Sequence, residues 1–188
     1  MKMNIWDAFW GLEVEQCPCD VHLVEWLETE GLSGKRIYHF GTGGHHHVGL
    51  RCAEPHLDNT VLGITAAPKE YEAFIALATE NPTVTKSYSA YFGDIYTSNA
   101  KLLPRFDIVT LFHSCEFRSA ANDAYGALTD REVMDLFTQQ TDAGGHILFY
   151  KGSFAYGAAE PIIAEWASEM PVEELPGFKT LRIFRKTA

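Results

Sequence analysis

Apolar side chains recur along the chain in two alternating rhythms, one of helical period and one of strand period. Ile5, Trp6, Phe9 and Trp10 stand at helical spacing with Asp7 opposite them, which predicts a first helix over residues 3–10. A second helix is predicted with Asp20 as its cap, Leu23, Val24 and Leu27 inward, Glu25, Glu28 and Glu30 outward, and Gly31 as its end. Arg36 to Phe40 reads as a strand that breaks at Gly41, and Val61 to Ile64 as a second. Pro68 opens a helix carrying Tyr71, Phe74, Ile75 and Ala78 on one side. Val84 to Tyr88 alternates as a third strand, and Asp107 to Phe112 is the near-continuous apolar run of a strand buried on both faces. Thr129 and Glu132 form a capping box for a helix with Val133, Leu136 and Phe137, closed by Gly144-Gly145. His146 to Tyr150, a helix from Gly157 to Met170, and a strand from Lys179 to Arg185 complete the pattern.

Strands alternating with helices imply a doubly wound α/β domain, a mostly parallel sheet with helices on both faces. Right-handed crossovers then bring the C-terminal ends of the parallel strands to one edge, where open α/β sheets bind ligands. That edge is predicted to receive Phe40 to His47, Thr65 to Pro68, Phe92 to Ile95, and His113 to Phe117.

Composition narrows the partners. A chain of 188 residues, 46% hydrophobic and 21% charged, suits one domain spanning 1–188, with 1–31 as an N-terminal helical extension or lid. No apolar run approaches the roughly 20 residues of a bilayer span, and no signal-peptide stretch opens the sequence, so a cytoplasmic protein without a membrane partner is expected. A net charge of −10 argues against nucleic acid and for a small-molecule substrate. Arg182, Arg185 and Lys186 alternate with apolar residues and read as the outer face of a strand rather than a basic patch. The four cysteines, Cys17, Cys19, Cys52 and Cys115, form no spaced disulfide framework. Only Pro18 separates Cys17 from Cys19, where a zinc knuckle typically has two residues, so reduced thiols fit better than structural zinc.

The segment Arg36-Ile-Tyr-His-Phe-Gly-Thr-Gly-Gly-His45 leads a strand into closely spaced glycines at a helix start. Such a loop presents bare backbone N–H groups to a ligand, or is simply a tight turn. A dinucleotide-binding dehydrogenase is disfavoured, because its third loop glycine would fall at His46 and no acid ends the second strand.

From Leu32 onward the chain resembles the class I S-adenosylmethionine-dependent methyltransferases, a Rossmann-like family. The first motif of that family, an apolar strand, an acid and G-x-G-x-G, corresponds to Ile37-Tyr-His-Phe-Gly-Thr-Gly-Gly-His45. Gly63-Ile-Thr-Ala-Ala-Pro68 stands where the second strand ends, and Phe92-Gly93-Asp94-Ile95 matches the Gly-Asp pair that reaches the adenine. Phe106-Asp107-Ile-Val-Thr-Leu-Phe-His113 matches the buried fourth strand, and Gly144-Gly145-His-Ile-Leu-Phe the glycine turn before the fifth. The closing helix, strand, turn at Pro176-Gly177 and last strand are similar to the terminal hairpin of the family. The resemblance implies a seven-stranded sheet with the last strand antiparallel, and S-adenosylmethionine as cofactor. It implies His39, Phe40, Gly41, Thr42, Gly43 and Gly44 around the methionine end, Thr65 and Ala66 by the ribose, and Asp94 and Ile95 by the adenine. Two family acids are replaced, one by His39 at the end of the first strand and one by Thr65 at the end of the second. A carboxylate accepting two hydroxyl hydrogen bonds outdoes a neutral side chain by roughly 1–3 kcal/mol.

Histidines 39, 45, 46, 47 and 113 all map to this one edge. His45 to His47 read as a solvated first helical turn, as polar partners replacing the missing acids, or as part of a metal site of His39, a loop histidine such as His45 or His47, and His113 with Cys115 or Glu116. Consecutive histidines share no helical face, so no metal ligand is assigned. His113, at the end of the fourth strand, is the candidate catalytic residue, an imidazole able to take a proton from a hydroxyl or thiol. His113-Ser-Cys-Glu is not the N/D-P-P-Y/F of enzymes that methylate amide or exocyclic nitrogens, which favours O- or S-methylation. The Trp6, Phe9 and Trp10 stripe reads as packing or a homodimer contact ahead of a lid. The expected function is methyl transfer to a small molecule; the alternatives are a binding or scaffolding protein with a decayed cofactor site, and a metal-dependent enzyme built on the histidine cluster.

Overall fold

The computed structural model describes residues 2–188, so Met1, the first residue of the predicted domain and of its extension, lies outside the described residues. The elements follow in the order α1 (Cys19–Thr29), β1 (Arg36–Phe40), α2 (His47–Cys52), β2 (Thr60–Thr65), α3 (Pro68–Glu80), β3 (Tyr88–Phe92), β4 (Phe106–Thr110), α4 (Ala120–Asp123), α5 (Asp130–Gln140), β5 (Thr141–Tyr150), α6 (Tyr156–Glu169), β6 (Val172–Phe178) and β7 (Leu181–Lys186). Seven strands form one sheet in the order β3-β2-β1-β4-β5-β7-β6. β1 to β5 pair in parallel, and β7 runs antiparallel between β5 and β6. The doubly wound sheet with an antiparallel last strand is the predicted one.

Strand periodicity divides the core. Successive side chains point to opposite faces, so Ile37, Ile108 and Leu148 join Leu23, Leu27, Val48 and Phe74 on one side of the sheet. Tyr38, Val109 and Ile147 join Met134, Phe137, Ile163 and Trp166 on the other. Each such aliphatic or aromatic side chain contributes about 1.5–3 kcal/mol on burial. Trp166 is fully buried, and its indole N–H donates to Thr138 Oγ1 at 2.9 Å.

The structure corrects several elements. No helix forms over residues 3–10; residues 2–13 have no regular structure and lie along the C-terminal edge of the sheet. Eight residues are too few to nucleate a helix alone. Their rings instead find separate partners, Trp6 and Trp10 on Phe117 and Phe9 on Gly44, while Ile5 is 51% exposed. Asp20 is not a cap: Pro18 holds that position, and Asp20 is buried in the first turn. Residues Pro82–Lys86 form a 3-10 turn, and the third strand begins only at Tyr88. Ile75 faces solvent at 49% exposure, away from Phe74. Gly144-Gly145 does not end α5, which stops at Gln140 under the Thr129–Glu132 capping box expected at its start. These glycines lie inside β5 at a register shift opposite Asp107, where a Cβ on Gly145 would come within 2.7 Å of the Asp107 carbonyl. Pro176-Gly177 likewise lies within β6, and the hairpin turns at Lys179, whose φ is 51°. Arg182 and Arg185 pair across the hairpin with Glu174 and Glu173, the strand face read from the sequence. Among the described residues, no helix is long and apolar enough to cross a membrane.

Candidate functional site

The sheet changes direction of winding between β1 and β4, which pair directly while their crossovers leave on opposite sides. This is the position at which doubly wound sheets open a crevice. A cavity of about 590 Å³ lies there, within the size range of small-molecule sites. All four predicted edge segments reach it: Phe40, Gly41, Gly43 and His45; Thr65, Ala66 and Ala67; Gly93, Asp94 and Ile95; and His113, Cys115, Glu116 and Phe117. Trp6 and Trp10 of the N-terminal segment form the facing wall, edge-on to Phe117 with ring centroids 5.1 and 5.7 Å apart.

The glycine loop has the backbone that the sequence requires of it. Gly41 and Gly43 have φ values of 86° and 56°, the left-handed region that a side chain resists. A Cβ on Gly41 would touch the His113 ring at 3.2 Å, and one on Gly43 would meet the His45 ring at 2.4 Å. The chain itself takes up part of this bare backbone. Gly44 packs under the Phe9 ring and donates its N–H to the Trp10 carbonyl at 2.8 Å, while the Gly41 N–H donates to the Ile64 carbonyl at 3.2 Å. Of the residues predicted around this loop, Phe40, Gly41 and Gly43 line the cavity, whereas His39, Thr42 and Gly44 stand behind its wall.

Two acids that sequence reasoning missed sit beside the two positions where the family acids are replaced. His39 is buried at the end of β1, with Nδ1 on Thr110 Oγ1 at 2.8 Å and Nε2 3.5 Å from Asp20 Oδ1. Asp20 also approaches His45 Nε2 at 3.7 Å. Burial alone would raise the Asp20 carboxyl, but the His39, His45 and His113 imidazoles hold it below its usual range. At the end of β2, Thr65 Oγ1 donates to Glu70 Oε2 at 2.7 Å, and the Trp10 N–H donates to Glu70 Oε1 at 3.2 Å. Burial pushes the Glu70 carboxyl up, with these two hydrogen bonds opposing it. Asp20 and Glu70 both line the cavity. Each stands in the first turn of a helix, where an acid also serves the helix dipole, so its local pattern did not distinguish a site role.

Asp94 is where it was expected, but its carboxylate is already engaged. Oδ1 accepts from the Tyr96 N–H at 3.0 Å, and Oδ2 accepts from Asn122 Nδ2 at 2.8 Å and from the Tyr125 hydroxyl at 2.6 Å. Asn4 bonds to both Asn122 and Tyr125, so the Asp94 network also fastens the N-terminal segment.

The histidines part company. His46 turns inward in a left-handed conformation, Nδ1 on the Tyr88 hydroxyl at 2.8 Å, and burial pushes its pKa down to about 4. It is therefore no part of a solvated turn. His113 faces the cavity, with Nδ1 on Glu116 Oε2 at 3.1 Å and Nε2 3.9 Å from the Cys19 sulfur. Burial would lower the His113 pKa, but the Glu116 carboxylate raises it above the ordinary histidine value. Cys17 lies 3.5 Å from Cys19, sulfur to sulfur, and this contact draws its thiol down to about 6 against the effect of burial. Among the described residues, Cys17, Cys19 and His113 are the only set of three His, Cys, Asp or Glu donors within 4.8 Å of one another. His39 and His113 do not combine in such a set, so the geometry does not support the alternative of a metal site built on His39, a loop histidine and His113.

Solved structures with the same architecture are numerous, though no family model and no curated protein matches the sequence. Precorrin-6y C5,15-methyltransferase from Geobacter metallireducens superposes with a TM-score of 0.62 at 11% identity, over 99% of this chain and 98% of that one. A Podospora anserina methyltransferase bound to S-adenosylhomocysteine (SAH) gives 0.59 at 16% identity, over 90% and 88%. The chain has the class I methyltransferase fold. Coclaurine N-methyltransferase, solved with N-methylheliamine and SAH, gives 0.51 at 11% identity, and the chain spans only 34% of its length. The solved relatives thus agree on architecture while differing in acceptor.

Proposed function

We propose that this protein transfers a methyl group from S-adenosylmethionine to the oxygen or sulfur of a small molecule. The observation that carries the reading is the pair of relocated acids: Asp20 beside His39 and Glu70 beside Thr65 return carboxylates to the ends of β1 and β2. A cavity of about 590 Å³ with a positive-φ glycine loop at its floor accommodates a nucleoside-bearing metabolite. Phe40, Gly41 and Gly43 would meet the methionine end, with His39, Thr42 and Gly44 supporting the loop from behind. Thr65 and Ala66, joined by Glu70, would face the ribose, and Ile95 with the Asp94 backbone the adenine.

When bound, the cofactor supplies an electrophilic sulfonium methyl; the chain's own contribution is in-line placement of the acceptor and exclusion of water. Trp6, Trp10 and Phe117 enclose the apolar side of the cavity. His113 takes the acceptor's proton on Nε2, oriented by the Glu116 carboxylate on Nδ1.

Isothermal calorimetry with SAH tests the reading, and micromolar binding abolished by Gly43→Val is the expected result. A binding or scaffolding protein is the second reading. It is favoured by Gly44, whose N–H and open face are taken by Trp10 and Phe9. Absence of SAH binding up to millimolar ligand selects it.

A further inference from the structure

We propose that Cys17, Cys19 and His113 form a site for a thiophilic divalent cation of the zinc class, with its fourth coordination position open to the cavity. A tetrahedral zinc has ligands at about 2.0–2.3 Å, which sets donor atoms roughly 3.5–3.8 Å apart. The two sulfurs are 3.5 Å apart and Cys19 Sγ is 3.9 Å from His113 Nε2, so little movement brings the three donors onto one ion. All three residues line the cavity.

The surroundings fit such a site. Pro18 is the N-cap of α1, so Cys19 is the first residue of the helix and Cys17 lies two residues before it, where the positive end of an eleven-residue helix favours thiolates. Glu116 accepts from or shares a proton with His113 Nδ1 at 3.1 Å, leaving Nε2 directed at the thiols. This is the carboxylate–imidazole support that orients a histidine ligand. Glu116 is itself held by the Ser153 hydroxyl and, at 3.0 Å, by the Phe154 N–H. Two thiolates and one imidazole with a vacant position is a donor set of catalytic rather than structural zinc. For the acceptor, where this inference rests on the methyl-transfer reading, a cation held by these residues would lower the pKa of a thiol or hydroxyl at the fourth position, whose proton would pass to solvent. His113 Nε2, then a ligand, would no longer serve as the base.

Cobalt(II) titrated into reduced, metal-free protein reports the site directly. The expected result is one cobalt per chain, with thiolate charge-transfer absorption and the intense visible bands of tetrahedral coordination. Cys17→Ser and His113→Asn each weaken binding at least tenfold, Glu116→Gln weakens it about tenfold, and Cys115→Ser leaves the spectrum unchanged. Cys17 is only half-buried, so its replacement keeps the test valid should the buried Cys19→Ser chain fail to fold. No absorption bands, or cobalt binding that survives Cys17→Ser, overturns the proposal. SAH calorimetry on the metal-free protein is read separately: failure there with cobalt bands intact removes the methyl-transfer reading and leaves the cation site.

Discussion

The flank of the cavity built from β2 and β3 contrasts with the flank built from α1 and β4. On the first, the acids are held: Glu70 has Thr65 and the Trp10 N–H, and Asp94 has Tyr96, Asn122 and Tyr125. On the second, Cys17, Cys19 and His113 Nε2 meet at the long distances of sulfur contacts, 3.5 and 3.9 Å, and the Cys19 thiol also reaches Asp20 Oδ1 at 3.5 Å. Hydrogen-bonded carboxylates are fixed in place before a ligand arrives, which suits the recognition of ribose hydroxyls. Soft donors in loose contact have coordination capacity left over. One flank is built of carboxylates fixed by hydrogen bonds, and the other of soft donors that the proposed cation would set to work.

Substitutions should separate the two. The largest effect is expected from Gly43→Val, which adds a side chain at φ 56° against the His45 ring; SAH affinity should fall more than a hundredfold by calorimetry while the cobalt spectrum persists. Glu70→Ala comes next. Loss of a charged hydrogen-bonding partner is worth about 1.5–3 kcal/mol, a roughly ten- to hundredfold weakening of SAH binding, again without change in cobalt affinity. Asp94→Asn should lower stability by about 1–2 kcal/mol in thermal melts and speed proteolysis near the N-terminus, because Asp94 anchors the groups that hold Asn4. The smallest effect is in pH. The Glu70 carboxyl titrates above its usual range, so SAH affinity should decline on acidification sooner than an ordinary carboxylate would dictate, as Glu70 takes up a proton and ceases to be an anionic acceptor. Glu70→Gln should flatten that dependence, and an unchanged profile would remove Glu70 from the ribose side.

Features set by neighbours in sequence were legible, and features set by distant contacts were not. β1 was read from Arg36 to Phe40 because apolar run, flanking glycines and length agree within ten residues. The Thr129–Glu132 capping box was read because both of its hydrogen bonds are local. The N-terminal segment failed this test: the spacing of Ile5, Trp6, Phe9 and Trp10 suits a helix, yet its partners Ala66, Phe117 and Tyr125 are 60 to 121 positions away. The sheet-edge segments were found from strand order alone. Asp20 and Glu70 were passed over because an acid in a first helical turn already has a local explanation. The Cys17, Cys19 and His113 group joins residues 94 apart, and no motif spacing encodes it. In the sequence Cys17 and Cys19 raise a zinc pair, which the single residue between them argues against, and His113 stands out through its place at the end of a buried strand.

The unstructured stretch ahead of α1 crosses the mouth of the cavity and is tied down at both ends: Asn4 to Phe117, Asn122 and Tyr125, and Trp10 to Glu70 and Gly44. With no secondary structure of its own, it holds its place through these ties together with the Trp6 N–H bond to the Ala66 carbonyl, the Asp7–Lys69 ion pair and the ring contacts on Phe117 and Gly44. If this segment acts as a lid over the cavity, entry and departure of a ligand beneath it would require those ties to break together. On that reading, shortening the chain by a dozen residues should accelerate ligand release far more than it alters equilibrium binding, as stopped-flow release of SAH would show.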